Sequence, residues 1–180
     1  FVVRRYAWGS FLLRNNQYKK VIENPHRFEN PVWEIFHKYS AVIPPHVIEP
    51  IQMEENDARD KYLKDGKWVE GVFTDPYIKI GDQWELYSAK DPIEGKALMS
   101  TPNLLNTDEL NTAIKSIIVP SFEALEKNWM EISTIDGPIH LVDIKFELGF
   151  RTRDNVLVLS DVVDNDSWRI WPGGKPDKQL

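Results

Sequence analysis

The run Ile139-His140-Leu141-Val142-Asp143-Ile144-Lys145-Phe146-Glu147 constrains this chain most, because apolar and polar residues take turns along it. Successive side chains of a strand leave on opposite faces, so this period predicts a β-strand with Val142, Ile144 and Phe146 toward a core and Asp143, Lys145 and Glu147 together on the other side. The turn-forming Arg151-Thr152-Arg153-Asp154-Asn155 follows, and Val156-Leu157-Val158-Leu159 runs back. That pattern predicts an antiparallel hairpin whose return strand delivers Asp161 beside the charged face. Carboxylates and an ammonium gathered there suit a hard cation bridging nucleotide phosphates. A solvated Lys/Glu face of an exposed sheet has the same pattern, so spacing alone leaves both readings open.

A sheet with one apolar face needs a cover, and the segment before this strand can supply it. Asn106 and Glu109 stand at capping-box spacing, and Leu110, Ile114, Ile117, Ile118, Phe122, Leu125 and Trp129 fall on one helical stripe. Pro120 is expected to kink this helix or divide it. Elsewhere, Phe1–Tyr6 reads as a strand with no turn before it, its edges and apolar face left open. Ser10 reads as the N-cap of a short helix after Gly9. Lys67–Phe73, Tyr77–Ile80 and Gln83–Tyr87 read as strands, the last two as a hairpin. The Pro- and His-rich stretch 19–71 reads as a surface insertion with short helices at Pro31–Tyr39 and Glu55–Lys64. Ser160–Arg169 reads as an acidic loop, and Pro172–Pro176 as an unstructured tail. The expected class is α+β, an antiparallel sheet with flanking helices, within a single domain over 1–180.

Composition narrows the chemistry. The net charge of -6 argues against a nucleic-acid partner, and any anion site must be local. There is no cysteine, which removes disulfides and thiolate chemistry and fits a cytoplasmic setting. No apolar stretch approaches the ~18 residues needed to span a bilayer. The start, broken by Arg4, Arg5 and Arg14, does not read as a signal peptide. His26, His37, His46 and His140 show no metal-ligand spacing, and no Walker, GxGxxG or GxSxG motif occurs.

Two further groups suit anions. Arg169 lies between Trp168 and Trp171, just after Asp164, Asn165 and Asp166. A guanidinium held by carboxylates and aromatic walls can grip an anionic ligand, or can simply cap a loop through an Arg–Asp pair. Near the start, Arg4, Arg5 and Ser10 put two guanidiniums and a hydroxyl beside a helix start.

Taken in order, VVRRYAWGS, AKDP (Ala89–Pro92), LVDIKFELG (Leu141–Gly149) and VLSDVVDNDSWRIW (ending at Trp171) closely resemble the SAICAR synthetase family. The resemblance implies a SAICAR synthetase-like, ATP-grasp-like fold, mostly its larger carboxy-terminal lobe, interrupted by the 19–71 expansion. It implies an ATP-dependent carbon–nitrogen ligase of purine biosynthesis. Such a ligase joins carboxyaminoimidazole ribonucleotide (CAIR) and L-aspartate through an acyl phosphate, with ATP and Mg²⁺ as cofactors. Motif by motif, it implies that Glu147 and Asp161 hold magnesium and the ATP phosphates with Lys145 and Asp143 beside them. It also implies that Arg4, Ser10 and Arg169 grip the ribonucleotide with Asp166 in the same set, and that Asp91 sits near the imidazole or its carboxylate. Lys79 aligns with a lysine that precedes this aspartate in the family.

The family's glycine-rich amino-terminal strands and ATP-clamping lysine have no counterpart here, so an additional amino-terminal lobe is expected on the same chain or a partner. Asp177-Lys178-Gln179 resembles the start of a further helical motif. The resemblance leaves open assembly with further copies of the chain and a carboxylase domain fused downstream, as in animal members. Asp143-Ile144-Lys145 also resembles the Asp-x-Lys strand motif of inositol-phosphate-type kinases, a reading that the Gly-Ser and DNDSWR motifs oppose. A third reading is a catalytically incomplete domain that binds the nucleotide or scaffolds a partner.

Overall fold

The structure, a computed structural model, describes residues 1–19 and 24–176, so the Asp177–Gln179 motif lies outside the described residues. The chain divides into two compact units, Phe1–Leu12 with Gln17–Glu34 and Leu105–Leu180, and Leu13–Asn16 with Ile35–Leu104.

The first unit is built on an antiparallel sheet. Its strands are β1 (Val2–Tyr6), β2 (Arg27–Glu34), β3 (Ser133–Thr134), β4 (Gly137–Lys145) and, further on, β7 (Trp168–Pro172); β5 (Leu148–Arg151) and β6 (Val156–Leu159) form a separate hairpin. The order is β3-β4-β1-β2, with β7 also paired to β4. Thus β1 is paired on both sides, by β4 and β2, and the open edges expected of it are absent. Pro31–Tyr39 is likewise no helix: Val32, Trp33 and Glu34 lie opposite Arg4, Val3 and Val2. Residues of β branching and aromatic bulk gain more from this pairing than from a helical turn that Pro31 would begin.

Tertiary pairing also revises the carboxy-terminal strands. The alternating run pairs with β1 and β7, while the hairpin joins Leu148–Arg151 to Val156–Leu159. Trp168–Pro172, expected as loop and tail, is the strand β7. Its large side chains divide cleanly, Trp168 and Ile170 packing with the helix-side core and Trp171 with Tyr6 and Val142. The acidic residues before it had hidden that period.

One irregularity shifts the core. In the β4–β7 ladder Leu141 lies opposite Ile170 but Asp143 opposite Arg169, so Val142 is an extra residue, a β-bulge. Leu141, not Val142, therefore joins Ile144 and Phe146 in the main core with Val3, Ile118 and Phe122. Val142 turns to the opposite face beside Tyr6 and Trp171. Strict alternation mispredicted this pair because a bulge resets the period.

The helices follow their caps. Ser10–Arg14 forms the short α1; Ser10 is its first residue rather than the cap. In α2 (Thr107–Thr112) the Glu109 N–H donates to Asn106 Oδ1 at 2.9 Å and the Asn106 N–H to Glu109 Oε2 at 2.8 Å, the expected capping box. A π-helical turn, Ala113–Ile118, then leads into α3 (Val119–Met130), with Pro120 in its first turn. Proline lacks an N–H and its ring crowds the carbonyl four residues back, and the wider turn accommodates both defects. The helical apolar stripe packs as expected from Ile114 onward, Ile118 and Phe122 fully buried and Ile114, Ile117, Leu125 and Trp129 around them, while Leu110 does not join this core.

The second unit holds a three-stranded sheet of Tyr77–Lys79, Trp84–Tyr87 and Met99–Thr101, the first two in the expected hairpin. A second sheet pairs Ser40–Val42 with Ile51–Met53 and Val72–Thr74. Lys67–Phe73 is not one strand: it breaks at Gly71, whose φ of +85° turns the chain. The helix expected at Glu55–Lys64 forms over Glu55–Tyr62, and Leu63–Lys64 is instead a strand paired with Lys67–Trp68. The 19–71 stretch is not confined to the surface, since Ser40, Ala41 and Val42 within it are fully buried.

Because Phe122 is wholly buried between helix and sheet, Phe122→Ala is expected to cost about 3–5 kcal/mol in urea unfolding. A cost below about 1 kcal/mol would show that the helix does not form the cover of this sheet.

Candidate functional site

Register assembles the site on the sheet face opposite the helix. Arg4 of β1 lies across from Asp143 of β4, which lies across from Arg169 of β7, so the three side chains occupy one row over three strands. Glu34, which pairs with Val2, joins from β2 at the diagonal position. Arg4 Nε donates to Glu34 Oε2 at 2.8 Å, and Arg4 NH1 to Asp143 Oδ2 at 2.5 Å. Arg4 NH2 reaches Ser10 Oγ at 3.4 Å, and Arg169 NH1 reaches the same Asp143 oxygen at 3.5 Å. Arg4, Glu34 and Asp143 are buried, whereas the Arg169 side chain is 39% exposed. Arg169 is thus the guanidinium in this row most accessible to a ligand.

Gly9 completes the arrangement. Its φ is +61°, and a Cβ there would stand 2.9 Å from Arg169 NH1, so the backbone lies directly against that guanidinium. Burial pushes the Asp143 carboxyl up, while the Arg4 and Arg169 guanidiniums beside it pull the other way. With Arg4 and Arg169 balanced by Glu34 and Asp143, the cluster is formally neutral.

Arg5 does not belong to this group. One residue on from Arg4, it leaves the opposite face, where Nε and NH2 donate to Glu126 at 2.6 and 2.5 Å and NH1 to the Glu29 carbonyl at 2.6 Å. The expectation of Arg4 and Arg5 side by side ignored strand parity. Glu34 was missed because Pro31–Tyr39 was read as a helix, in which its alignment with the charged row is invisible.

Lys145 Nζ donates to Glu147 Oε1 at 2.9 Å. Ser160 N–H donates to the Glu147 carbonyl at 2.9 Å, setting the segment before Asp161 beside Glu147, and Asp161 Oδ1 accepts from Val162 N–H at 2.8 Å. Among the described residues no three His, Asp or Glu side chains gather as a group able to hold a metal. Asp166 is exposed, its N–H donating to Asp164 Oδ1 at 3.1 Å, and Ser167 closes that loop with its N–H on the Asp164 carbonyl at 2.9 Å.

Asp91 and Lys79 belong to the other unit. There Ser88 Oγ donates to Asp91 Oδ2 at 2.5 Å, and Lys79 Nζ stands 5.6 Å from the centre of the Tyr87 ring. Arg14 steadies the same loop: its buried guanidinium stacks near Phe36 and Tyr77 and donates to the Ala89 carbonyl.

The family model for SAICAR synthetase matches residues 88–180, slightly more than half of the chain. The chain belongs to the SAICAR synthetase family. It is 32% identical over 179 residues to the bifunctional purine synthesis protein purC/E of Dictyostelium discoideum, covering 99% of this chain and 12% of that protein. It is 31% identical over 179 residues to the human bifunctional phosphoribosylaminoimidazole carboxylase/phosphoribosylaminoimidazole succinocarboxamide synthetase, covering 99% of this chain and 30% of that protein. A shorter match, 48% over 59 residues, covers 33% of this chain and 22% of the phosphoribosylaminoimidazole-succinocarboxamide synthase of Herpetosiphon aurantiacus. The chain therefore spans from about an eighth to under a third of the long bifunctional relatives.

Gly9→Ala is expected to cost about 1–2 kcal/mol, since a Cβ strains the left-handed backbone, and to push the Arg169 guanidinium aside. Urea unfolding gives the first effect, and a crystal structure of the variant gives the second. An Arg169 guanidinium in its wild-type place would show that Gly9 and Arg169 are not in contact.

Proposed function

We propose that this chain forms the substrate-gripping part of an ATP-dependent ligase of purine biosynthesis that condenses CAIR with L-aspartate to SAICAR, releasing ADP and phosphate. The observation that carries the reading is the row Arg4–Asp143–Arg169 with Gly9 and Ser10 against it. It offers a planar, half-exposed guanidinium, a second guanidinium fixed from behind and a hydroxyl, the donor set that a phosphomonoester dianion requires. Arg169, Ser10 and, behind it, Arg4 grip the ribonucleotide, with Asp166 in the same set and Asp143 orienting both guanidiniums. Asp91 attends the imidazole or its carboxylate, with Lys79 near the nucleotide.

Glu147 and Asp161 are oxygen donors on adjacent segments, and they fit a magnesium ion that takes its other ligands from ATP phosphates. The bound ion supplies neutralisation of phosphate charge. This chain's own part is positional: Lys145, paired with Glu147, balances the carboxylates, and the guanidinium row fixes the ribonucleotide so that its carboxylate meets the γ-phosphoryl group in line. ADP leaves, and the aspartate amine then displaces phosphate from the acyl phosphate, forming the amide and losing one proton.

In fold, the reading is a SAICAR synthetase-like, ATP-grasp-like enzyme of which residues 1–180 form one partial catalytic domain, mostly the larger lobe, expanded over 19–71. Its setting is the cytoplasm. Membership of the SAICAR synthetase family disfavours the inositol-phosphate-type kinase.

The test is an ADP-release assay on the full-length polypeptide. ADP release that requires CAIR, aspartate and Mg-ATP together is expected; none under any of these conditions would leave only the binding or scaffolding role. In the same assay Arg169→Lys should raise the CAIR KM by about tenfold with kcat little changed, because a point charge does not replace the planar fork. Glu147→Ala should instead lower kcat by roughly a hundredfold and shift the Mg²⁺ dependence, with CAIR affinity kept. Unchanged Mg²⁺ dependence would remove Glu147 from the metal site.

A further inference from the structure

We propose that Glu34, a buried carboxylate of β2, is a positioning residue of the phosphate site that acts through Arg4 and touches no substrate; this rests on the phosphate-gripping role proposed above. Arg4 has two anionic anchors on different edges of its guanidinium. Glu34 takes Nε at 2.8 Å and Asp143 takes NH1 at 2.5 Å. A planar group held at two edges by carboxylates on neighbouring strands has its rotation fixed, and the remaining edge, NH2, is aimed at Ser10. Without Glu34 the guanidinium would keep a single close anchor, Asp143, with only the long contacts to Ser10 Oγ at 3.4 Å and the Trp8 carbonyl at 3.5 Å to orient it. It would then compete with Arg169 for Asp143, since both reach the same Oδ2.

Glu34 thus keeps Arg4 where Asp143 can serve both arginines and Arg169 remains half-exposed. The two side chains are 4% and 6% exposed, so the pair is shielded from solvent competition. Cross-strand register sets the geometry: Val2 lies between, paired to Glu34 on one side and Lys145 on the other, with Arg4 two residues on in the same strand and on the same face.

The consequence separates positioning from simple charge. Removing one negative charge from a neutral cluster leaves it net positive, and by electrostatics alone an anion would then bind more tightly. A positioning role gives the opposite sign. In the full-length protein, Glu34→Gln keeps shape and removes the charge, so ribose 5-phosphate measured by calorimetry should bind about tenfold more weakly, the scale on which outer partners affect a ligand-holding side chain. In turnover the CAIR KM should rise while the KM for Mg-ATP and for aspartate stays unchanged, which a general loss of fold would not produce.

Glu34→Asp, which keeps the charge and shortens its reach, should show a similar loss and carries the test if Glu34→Gln does not fold. Tighter or unchanged ribose 5-phosphate binding in the variant that folds would overturn the positioning role while leaving the phosphate site intact. If the wild-type protein itself shows no ribose 5-phosphate binding, the phosphate site fails, and the role of Glu34 with it.

Discussion

The ion pair between Arg4 and Asp143 holds this architecture to its site. Both side chains are buried, in the middle of the sheet, where an unpaired charge would be strongly destabilising. Burial of that kind is tolerated only because each charge has more than one partner: Arg4 has Glu34 and Asp143, and Asp143 has Arg4 and Arg169. Four strands must therefore be in register for all four charges to be satisfied together. The polar face selects one pairing of β2, β1, β4 and β7, while the apolar face beneath α3 supplies the gain from burial.

This division of labour explains what could be read directly from the residues. The helix was legible because Asn106 and Glu109 cap it locally and its stripe repeats over several turns. The period of Asp143, Lys145 and Glu147 was legible for the same reason, whereas the grouping of Arg4, Ser10 and Arg169 came only from the family resemblance. What was hidden depends on partners far away in sequence. The Val142 bulge exists only in the pairing with β7, and β7 was itself masked by the acidic residues before Trp168. Arg5 and Glu34 were misjudged together, since both follow from the strand parity of β1 and β2, which local propensity around Pro31 obscured.

The short helix α1 matters beyond its length. Its first residue, Ser10, meets Arg4, and its last, Arg14, holds the Ala89 carbonyl in the loop that carries Asp91. The aromatic pair Phe36 and Tyr77 around Arg14 keeps that guanidinium desolvated, which strengthens its hydrogen bond to a neutral carbonyl.

The equal number of positive and negative charges in the Arg4, Glu34, Asp143 and Arg169 cluster governs how an anion meets it. Opposed charges a few ångströms apart cancel at a distance, and on a chain whose net charge is -6 nothing draws polyanions in from bulk solution. Capture then depends on the fit of donors at contact range, so ionic strength should have little influence on the association rate. Under the proposed phosphate role, long polyphosphates and nucleic acids, which gain most from broad positive fields, would be discriminated against, while a single phosphate of the right size would meet donors already aligned.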